Sequence, residues 1–338
     1  MIIWVAAVLV LALWGCQIKS RGFHKDYMAL DNIQPVKGLF LLLVFASHFV
    51  QYVSLSGPLN ETYFALRRYL GQLVVAPFLF YSGYGIGVSI HAKGADYVRQ
   101  LPRKRLARVW LQFLAALAGF FLANLALGRT FPLGYSLLSL IGWESIGNSN
   151  WYVFAILCLY GATWLAYRAF PRQEALAALG VTLLAAVYIL ALRLCKANYW
   201  FNMILAYPAG LWFALYRDRA EKRIFSGARA YALTLGVLAV AFLILHRFWA
   251  NLICCELTAV LFPLLLALLT AKVQPRSRVL AYCGRHLFSL FILQRLPMML
   301  LRPVFPAGAW VWYFLACLAL TFPLSYGFDR VFDRLNRR

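Results

Sequence analysis

The sequence predicts an all-α fold, a polytopic bundle of about 11 transmembrane helices, and three observations support this. Of the 338 residues, 63% are hydrophobic and only 13% are charged, whereas soluble domains average about 45–50% apolar and about 25% charged residues. The apolar residues form long runs close to the roughly 20 residues that a helix needs to cross a bilayer. Basic residues cluster between these runs. We therefore expect the chain to fold in lipid.

The candidate spans follow one another along the chain with short connections between them. The longest predicted outer connection, 128–149, is rich in Gly and Ser and too short for a separate soluble domain. We therefore expect an extra N-terminal transmembrane helix at 1–18 and a single membrane domain at 19–338. The predicted spans are 1–18, 36–56, 66–90, 109–127, 150–167, 174–192, 199–216, 230–246, 249–271, 286–302 and 308–327.

The first apolar run resembles a signal sequence, but its charges have the opposite arrangement. No basic residue precedes it, whereas Lys19, Arg21 and Lys25 follow it. A cleaved signal carries its positive charge in front of the apolar region. The run is therefore interpreted as a retained first helix with its N-terminus outside.

The distribution of basic residues predicts the orientation of the whole bundle. With the N-terminus outside, about 24 of the 33 Lys and Arg residues fall on the cytoplasmic side, Arg337 and Arg338 included. The positive-inside rule then predicts a multi-pass protein of the bacterial cytoplasmic membrane with a cytoplasmic C-terminus. The net charge of +22 fits anionic lipid headgroups, and nucleic acid is not expected as a partner. The seven cysteines show no metal-site or disulfide spacing.

Residues 37–49, KGLFLLLVFASHF, place one ionisable side chain near each end of an apolar helix. Eleven steps of 100° bring Lys37 and His48 to within about 20° of the same helix face, about 16 Å apart along the axis. An ionisable group inside the membrane is costly and marks a functional site by default. Histidine can accept and return a proton near neutral pH. The alternative is a histidine that serves only packing within the bundle.

This stretch resembles the membrane-bound acyltransferase 3 family of integral-membrane O-acyltransferases. The family's hallmark is a basic residue, ten further residues and a histidine on an early helix. Here Lys37 stands in place of the usual Arg, and Gln34 stands where an aspartate is often found. Lysine keeps the positive charge but loses the bidentate fork of arginine.

Further blocks resemble the same family and extend the likeness through about residues 30–300. They are an apolar segment with Ser-Gly and aromatic residues at 74–90, a basic stretch at 97–110, a helix that starts with Trp at 150–160 and a late block at 283–297. Gly83 and Gly87, in the first block, have the GxxxG spacing that lets helices approach closely. In the last block Gln294 stands where a histidine is common. The helix at 1–18 is extra to the family's usual ten.

The resemblance implies transfer of an acyl group, often acetyl, from cytoplasmic acyl-CoA to a hydroxyl of an external glycan, without a metal. Lys37, Arg105 and Arg108 would then bind the donor's phosphates. His48 would act as general base or as nucleophile, and we favour the base. The expected partners are membrane lipid, a glycan or glycolipid acceptor and proteins of envelope biosynthesis.

Four further residues are candidates for holding the acceptor or orienting His48. Glu144 precedes Trp151 and Tyr152 in the predicted outer loop, although a solvated surface glutamate is the more common explanation. Arg295 lies well inside its span and lines either a cavity or the interface. Arg67, like Arg68, is explained by snorkelling to lipid headgroups.

Two other functions remain open from the sequence. One is a proton-coupled transporter or flippase of a lipid-linked saccharide, in which His48 relays protons. The other is a noncatalytic scaffold of an envelope-synthesis complex.

Overall fold

A computed structural model of the chain describes residues 1–335, so Arg337 and Arg338, which were counted in the topology prediction, lie outside the described residues. The described part is almost entirely helical. Its α-helices, in chain order, are α1 (Ile2–Leu13), α2 (Leu30–Phe49), α3 (Pro58–Leu70), α4 (Ala76–Lys93), α5 (Ala95–Leu101), α6 (Arg108–Ala126), α7 (Leu133–Leu140), α8 (Trp151–Ala169), α9 (Glu174–Arg193), α10 (Ala206–Ile224), α11 (Ala228–Arg247), α12 (Leu252–Thr270), α13 (Arg278–Arg285), α14 (Leu287–Leu293), α15 (Arg295–Leu301) and α16 (Trp310–Leu335).

Shorter elements join these helices. A π-helix, Pro102–Ala107, connects α5 to α6, and short 3₁₀-helices occur at Gly71–Val75, Asn198–Trp200 and Ala307–Ala309. Two short strands, β1 (Gln17–Ile18) and β2 (Val273–Gln274), pair antiparallel.

The predicted all-α polytopic bundle is confirmed. Within residues 1–335, eight helices are long and apolar enough to cross a membrane. They correspond to eight of the predicted spans. Three of them run longer than predicted, because α3 continues into α4, α5 continues into α6, and α16 extends to Leu335. The eight ranges are 30–49, 58–93, 95–126, 151–169, 174–193, 228–247, 252–270 and 307–335.

The other three predicted spans form helices that are shorter or more polar. At 1–18 the helix α1 has only 12 residues, because β1 follows it and pairs with β2. At 199–216 the helix α10 begins only at Ala206, and its second half is rich in charged residues. At 286–302 the helix is interrupted at Gln294 between α14 and α15.

Two close helix crossings organise the bundle. A Cβ atom on Gly284 of α13 would overlap the carbonyl of Gln34 in α2, and one on Gly38 would overlap the carbonyl of Leu280. The crossing of α4 and α10 is equally close, since a Cβ on Gly83 would overlap the Tyr207 carbonyl and one on Gly87 would lie 2.7 Å from the Cβ of Ala214. Both crossings bring backbones together without side chains between them. The close approach predicted from the GxxxG spacing is confirmed.

A polar network ties the Lys37 end of α2 to the strand pair. The amide of Asn32 donates to the carboxylate of Asp26 at 2.8 Å, and Arg276 donates to the side chains of Asn32 at 2.7 Å and Gln274 at 2.6 Å. Gln274 in turn donates to the Asp26 carboxylate at 3.4 Å. The hydrogen bond from Asn32 is the main reason that the pKa of Asp26 lies below its ordinary value. This network fixes the start of α2 relative to α13.

Candidate active site

A cavity of about 1670 Å³ opens beside the N-terminal half of α2. Its walls come from α2, α4, the basic segment before α6, α8, α14 and α16. It is larger than the roughly 300–1,000 Å³ of ordinary small-molecule pockets. The cavity therefore has room for a ligand larger than a simple metabolite.

One wall of the cavity is strongly basic. Lys37 from α2 lies there with Arg103, Lys104, Arg105 and Arg108. The π-helix contains Arg103, Lys104 and Arg105, and this uncommon geometry is frequent at functional sites. Arg105 acts electrostatically on Lys37, and no carboxylate of the described residues forms an ion pair with either. The sequence-predicted donor residues are thus brought together on one wall.

A second wall of the cavity carries carboxylates that are already engaged. Arg108 faces Asp333 at 3.7 Å. Asp329 accepts hydrogen bonds from Ser289 at 2.8 Å and pairs with Nδ1 of His286 at 2.5 Å. The ring of Tyr282 lies against that of His286, with centroids 4.3 Å apart and planes tilted by 36°, and burial raises the pKa of this tyrosine. Arg108 is thus paired, whereas Lys37, Arg103, Lys104 and Arg105 of the basic wall form no ion pair with a carboxylate of the described residues.

The deep part of the cavity is aromatic and weakly polar. It follows α8 from Tyr160 to Tyr152, about 12 Å at 1.5 Å per residue. The hydroxyl of Tyr160 shares a hydrogen bond of 2.8 Å with Ser82. The hydroxyl of Tyr81 is buried and has no hydrogen-bond partner among the described residues. Tyr152, which the sequence placed on the acceptor side, thus lines the same cavity as Lys37.

His48 lies just outside the deep end of this cavity. Its imidazole rests against the ring of Phe291, with centroids 6.0 Å apart, and Phe291 also contacts Tyr152 at 5.2 Å. Phe291 and Tyr152 line the cavity, whereas His48 is behind them. The Nδ1 atom of His48 is buried and has no hydrogen-bond partner among the described residues. One aromatic ring therefore separates the candidate base from the cavity.

Two arginines flank His48 on the other side. Arg295 donates to the hydroxyl of Tyr52 at 3.2 Å and to the side chain of Gln51 at 3.1 Å. Arg67 donates from Nε to the hydroxyl of Ser47 at 2.9 Å. Both arginines act electrostatically on the His48 imidazole. The sequence singled out Arg295 but assigned Arg67 to lipid anchoring, so its contact with α2 was missed.

Glu144 does not contact His48. Its carboxylate pairs with Lys196 at 3.2 Å, and this lysine lies over the rings of Trp143 and Trp200 at 4.2 and 4.6 Å. The pair fastens the loop before α8 to the segment after α9. The two sequence-level roles for Glu144, orienting His48 or holding an acceptor, stay predictions.

Two other side chains, Trp151 and Glu256, have neighbours of their own. Trp151 contacts the rings of Tyr152 and Tyr199, at centroid distances of 5.8 and 6.5 Å. The buried carboxylate of Glu256 accepts hydrogen bonds from the backbone N–H groups of Met203 at 2.6 Å and Leu205 at 2.8 Å. Glu256 thus finds its partners in the irregular turn that begins α10.

The residues that sequence reasoning missed are those whose role depends on distant parts of the chain. Phe291 was one apolar residue among many in its block. His286 begins the predicted span 286–302, and its contact with Asp329 joins positions 43 residues apart. Arg67 carried a usable signal for a functional role, since it is a charge just inside the predicted span 66–90, but its position did not indicate which segment it contacts.

Within residues 1–335, no group of three or more His, Cys, Asp and Glu side chains is arranged to hold a metal ion. The cavity and its surroundings offer cations, carboxylates, tyrosine hydroxyls and the imidazoles of His286 and His48.

The fold and the site together define an integral membrane protein with a deep, basic cavity next to a histidine of a membrane-spanning helix. Comparison with protein families agrees with the resemblance found in the sequence: the acyltransferase domain of the acyltransferase 3 family matches residues 30–330. The chain belongs to this family and is a membrane acyltransferase. No curated protein and no solved structure shows significant similarity to it.

Proposed function

We propose that the protein transfers an acyl group, most simply acetyl, from acyl-CoA to a hydroxyl of a cell-envelope or exported glycan. The observation that carries this proposal is the continuous cavity between the basic wall at Lys37 and the Phe291 ring against which His48 rests. A donor with a polyanionic head and an uncharged acyl end matches these two ends of one cavity.

The basic wall suits the phosphates of the donor. Lys37 and Arg105 have no carboxylate partner among the described residues, so their charges are available to an anionic ligand. Charge-assisted hydrogen bonds to phosphate are about twice as strong as neutral ones. The aromatic part of the cavity between Tyr160 and Tyr152 then surrounds the pantetheine arm and the thioester.

His48 acts as the general base in this proposal. It takes the proton of the acceptor hydroxyl as that oxygen attacks the acyl carbonyl; the thioester bond breaks, and the CoA thiolate leaves and is protonated. Nδ1 of His48 is buried without a hydrogen-bond partner among residues 1–335, and no ion pair of these residues includes the ring. Because no carboxylate fixes the tautomer, either ring nitrogen can serve as the proton acceptor.

The topology proposed from the charge distribution places the Lys37 end on the cytoplasmic side and the His48 end towards the outer side. The donor then enters from the compartment that contains CoA. The acceptor approaches from the opposite side, where envelope glycans are found.

Labelled acetyl-CoA and crude envelope glycan, added to the purified protein in lipid nanodiscs, test the proposal. Label should appear in the glycan, and His48→Ala should abolish it while binding of acetyl-CoA persists. The variant Arg247→Ala, at the end of α11 and remote from the cavity, serves as the control. Movement of saccharide across proteoliposomes without label transfer would instead identify a transporter.

A further inference from the structure

The arginines Arg67 and Arg295 mark a second cationic site, at the opposite end of α2 from the donor cavity. Arg67 belongs to the last turn of α3 and Arg295 begins α15. Both donate to side chains of residues 47–52, in and just beyond the last turn of α2, which carries His48. Three separate elements of the chain are thus gathered around this histidine.

Neither arginine has an acidic partner in the part of the chain that the structure describes. The ion pairs among residues 1–335 include neither of them. Some partly buried cations of the molecule are paired, as Lys196 is with Glu144 at 3.2 Å and Arg217 with Glu221 at 2.5 Å. Among the described residues, Arg67 and Arg295 therefore resemble Lys37 of the donor cavity, another partly buried cation that forms no ion pair.

Both guanidinium groups have N–H donors that form no hydrogen bond with the described residues. A guanidinium has five N–H donors. In the structure Arg67 uses Nε alone, and Arg295 uses Nε and one Nη. Their partners are a hydroxyl, a phenol and an amide, none of which carries charge. Two partly buried like charges with free donors are costly unless an anion joins them.

We propose that Arg67 and Arg295 bind an anionic group of the acceptor, so that the protein acylates a glycan that carries a carboxylate or phosphate. The inference rests on the proposed acyl transfer and adds the class of its acceptor. Planar guanidinium groups match carboxylate and phosphate oxygens in a bidentate geometry. Bound there, the acceptor's anion holds one of its hydroxyls beside the His48 imidazole.

The separation of the two cationic sites supports this assignment. The basic wall with Lys37 lies about 16 Å along α2 from His48, and the residues that line the donor cavity include neither Arg67 nor Arg295. An acceptor anion therefore does not compete with the donor's phosphates for the same cations.

Two matched glycolipid probes test the acceptor class. Octyl β-D-glucuronide and octyl β-D-glucoside differ in one carboxylate, and their equilibrium binding is measured below their micellar concentrations in phosphatidylcholine nanodiscs. We expect the protein to bind the glucuronide about tenfold more tightly, the gain from one additional charge-assisted contact. Arg67→Gln and Arg295→Gln should each reduce this ratio towards one.

The neighbouring Arg68, which is exposed, provides the matched control, since Arg68→Gln should keep the preference. Arg67→Lys retains the charge and should keep part of the preference, which separates loss of charge from loss of folding. A ratio near one in the unchanged protein overturns the inference, as does a ratio that neither glutamine variant changes. The second result is the one expected if the two arginines only contact lipid phosphates.

Acetyl transfer to crude envelope glycan, measured in the same nanodiscs, distinguishes the two proposals. If acetyl is transferred but the protein does not prefer the glucuronide, the inference of an anionic acceptor is wrong and the proposed acyl transfer is supported. If the protein prefers the glucuronide but neither transfers acetyl nor binds acetyl-CoA, the proposed acyl transfer is wrong.

Discussion

Phe291 lies directly against His48, with ring centroids 6.0 Å apart, and lines the cavity that His48 itself does not reach. The same phenylalanine contacts Tyr152 on its other side at 5.2 Å. It follows that any acyl group delivered through the cavity meets this ring before it meets the candidate base. The size of the side chain at position 291 should then decide how long an acyl chain can react.

We predict that Phe291→Leu broadens the acyl range of the enzyme. Removing part of the ring enlarges the space next to His48, so butyryl-CoA should gain at least severalfold relative to acetyl-CoA in kcat/KM. Initial rates with the two donors give this ratio. Phe291→Ala is the less suitable change, because loss of a buried aromatic side chain costs about 3–5 kcal/mol of stability.

The control for this prediction is Phe262→Leu, at an aromatic pair with Phe40, neither of which lines the cavity. Its donor ratio should match that of the unchanged protein. An unchanged ratio in Phe291→Leu would show that acyl length is limited elsewhere.

Lys37 gives a second prediction, which concerns donor affinity. Lys37→Ala removes a cavity cation without an acidic partner, and the dissociation constant for acetyl-CoA should rise about tenfold or more, the value of one charge-assisted phosphate contact. Lys37→Arg keeps the charge and should remain active. Binding is measured by isothermal titration in nanodiscs, and equal affinity of the alanine variant would contradict the assignment of this wall to the donor.

More of the fold than of the site could be predicted from the sequence, because the features that define the spans are local in sequence. Apolar runs of helical length are local, so eight of the spans follow from the sequence alone. The shared face of Lys37 and His48 is also a property of a single helix. The shortening of α1 by the β1–β2 pair depends on contacts between distant segments.

The placement of site residues shows the same division. Tyr152 was assigned to the acceptor side because it follows an outer loop, yet the first turn of α8 faces the donor cavity. Arg67 gave no indication of its contact with Ser47, because 20 residues and a turn separate them. The packing of helices on one another determines where these side chains lie, and the periodicity within a single helix does not indicate that packing.

A third prediction concerns acid stability. The pKa of Asp26 is lowered, chiefly by the hydrogen bond from Asn32, so ionised Asp26 stabilises the folded state at a pH above the ordinary aspartate value of about 4. This contribution is lost as the pH falls through the lower pKa of the folded protein. Because the carboxylate is exposed, we expect it to amount to less than about 1 kcal/mol.

Thermal unfolding of the detergent-solubilised protein between pH 6 and pH 3 measures this effect. Asp26→Asn should be slightly less stable at pH 6 and should lose less stability on acidification. Parallel curves for the two proteins would mean that this carboxylate does not contribute.

The crossing of α13 and α2 yields the last prediction. In Gly284→Ala, the new methyl group would meet the carbonyl carbon and Cα of Gln34, and backbone atoms cannot move aside as a flexible side chain can. The two helices must separate, at a cost of about 1–3 kcal/mol. Gly236→Ala in α11 is the matched control: its new Cβ would meet open space, and alanine favours the helix by about 1 kcal/mol over glycine. The unfolding midpoint should therefore fall in the first variant and stay level or rise in the second.

Since Gly284 and Gln34 both line the donor cavity beside Lys37, Gly284→Ala should also weaken acetyl-CoA binding at temperatures where the protein remains folded. A variant that lost stability but bound the donor normally would show that the crossing supports the bundle without shaping the basic wall.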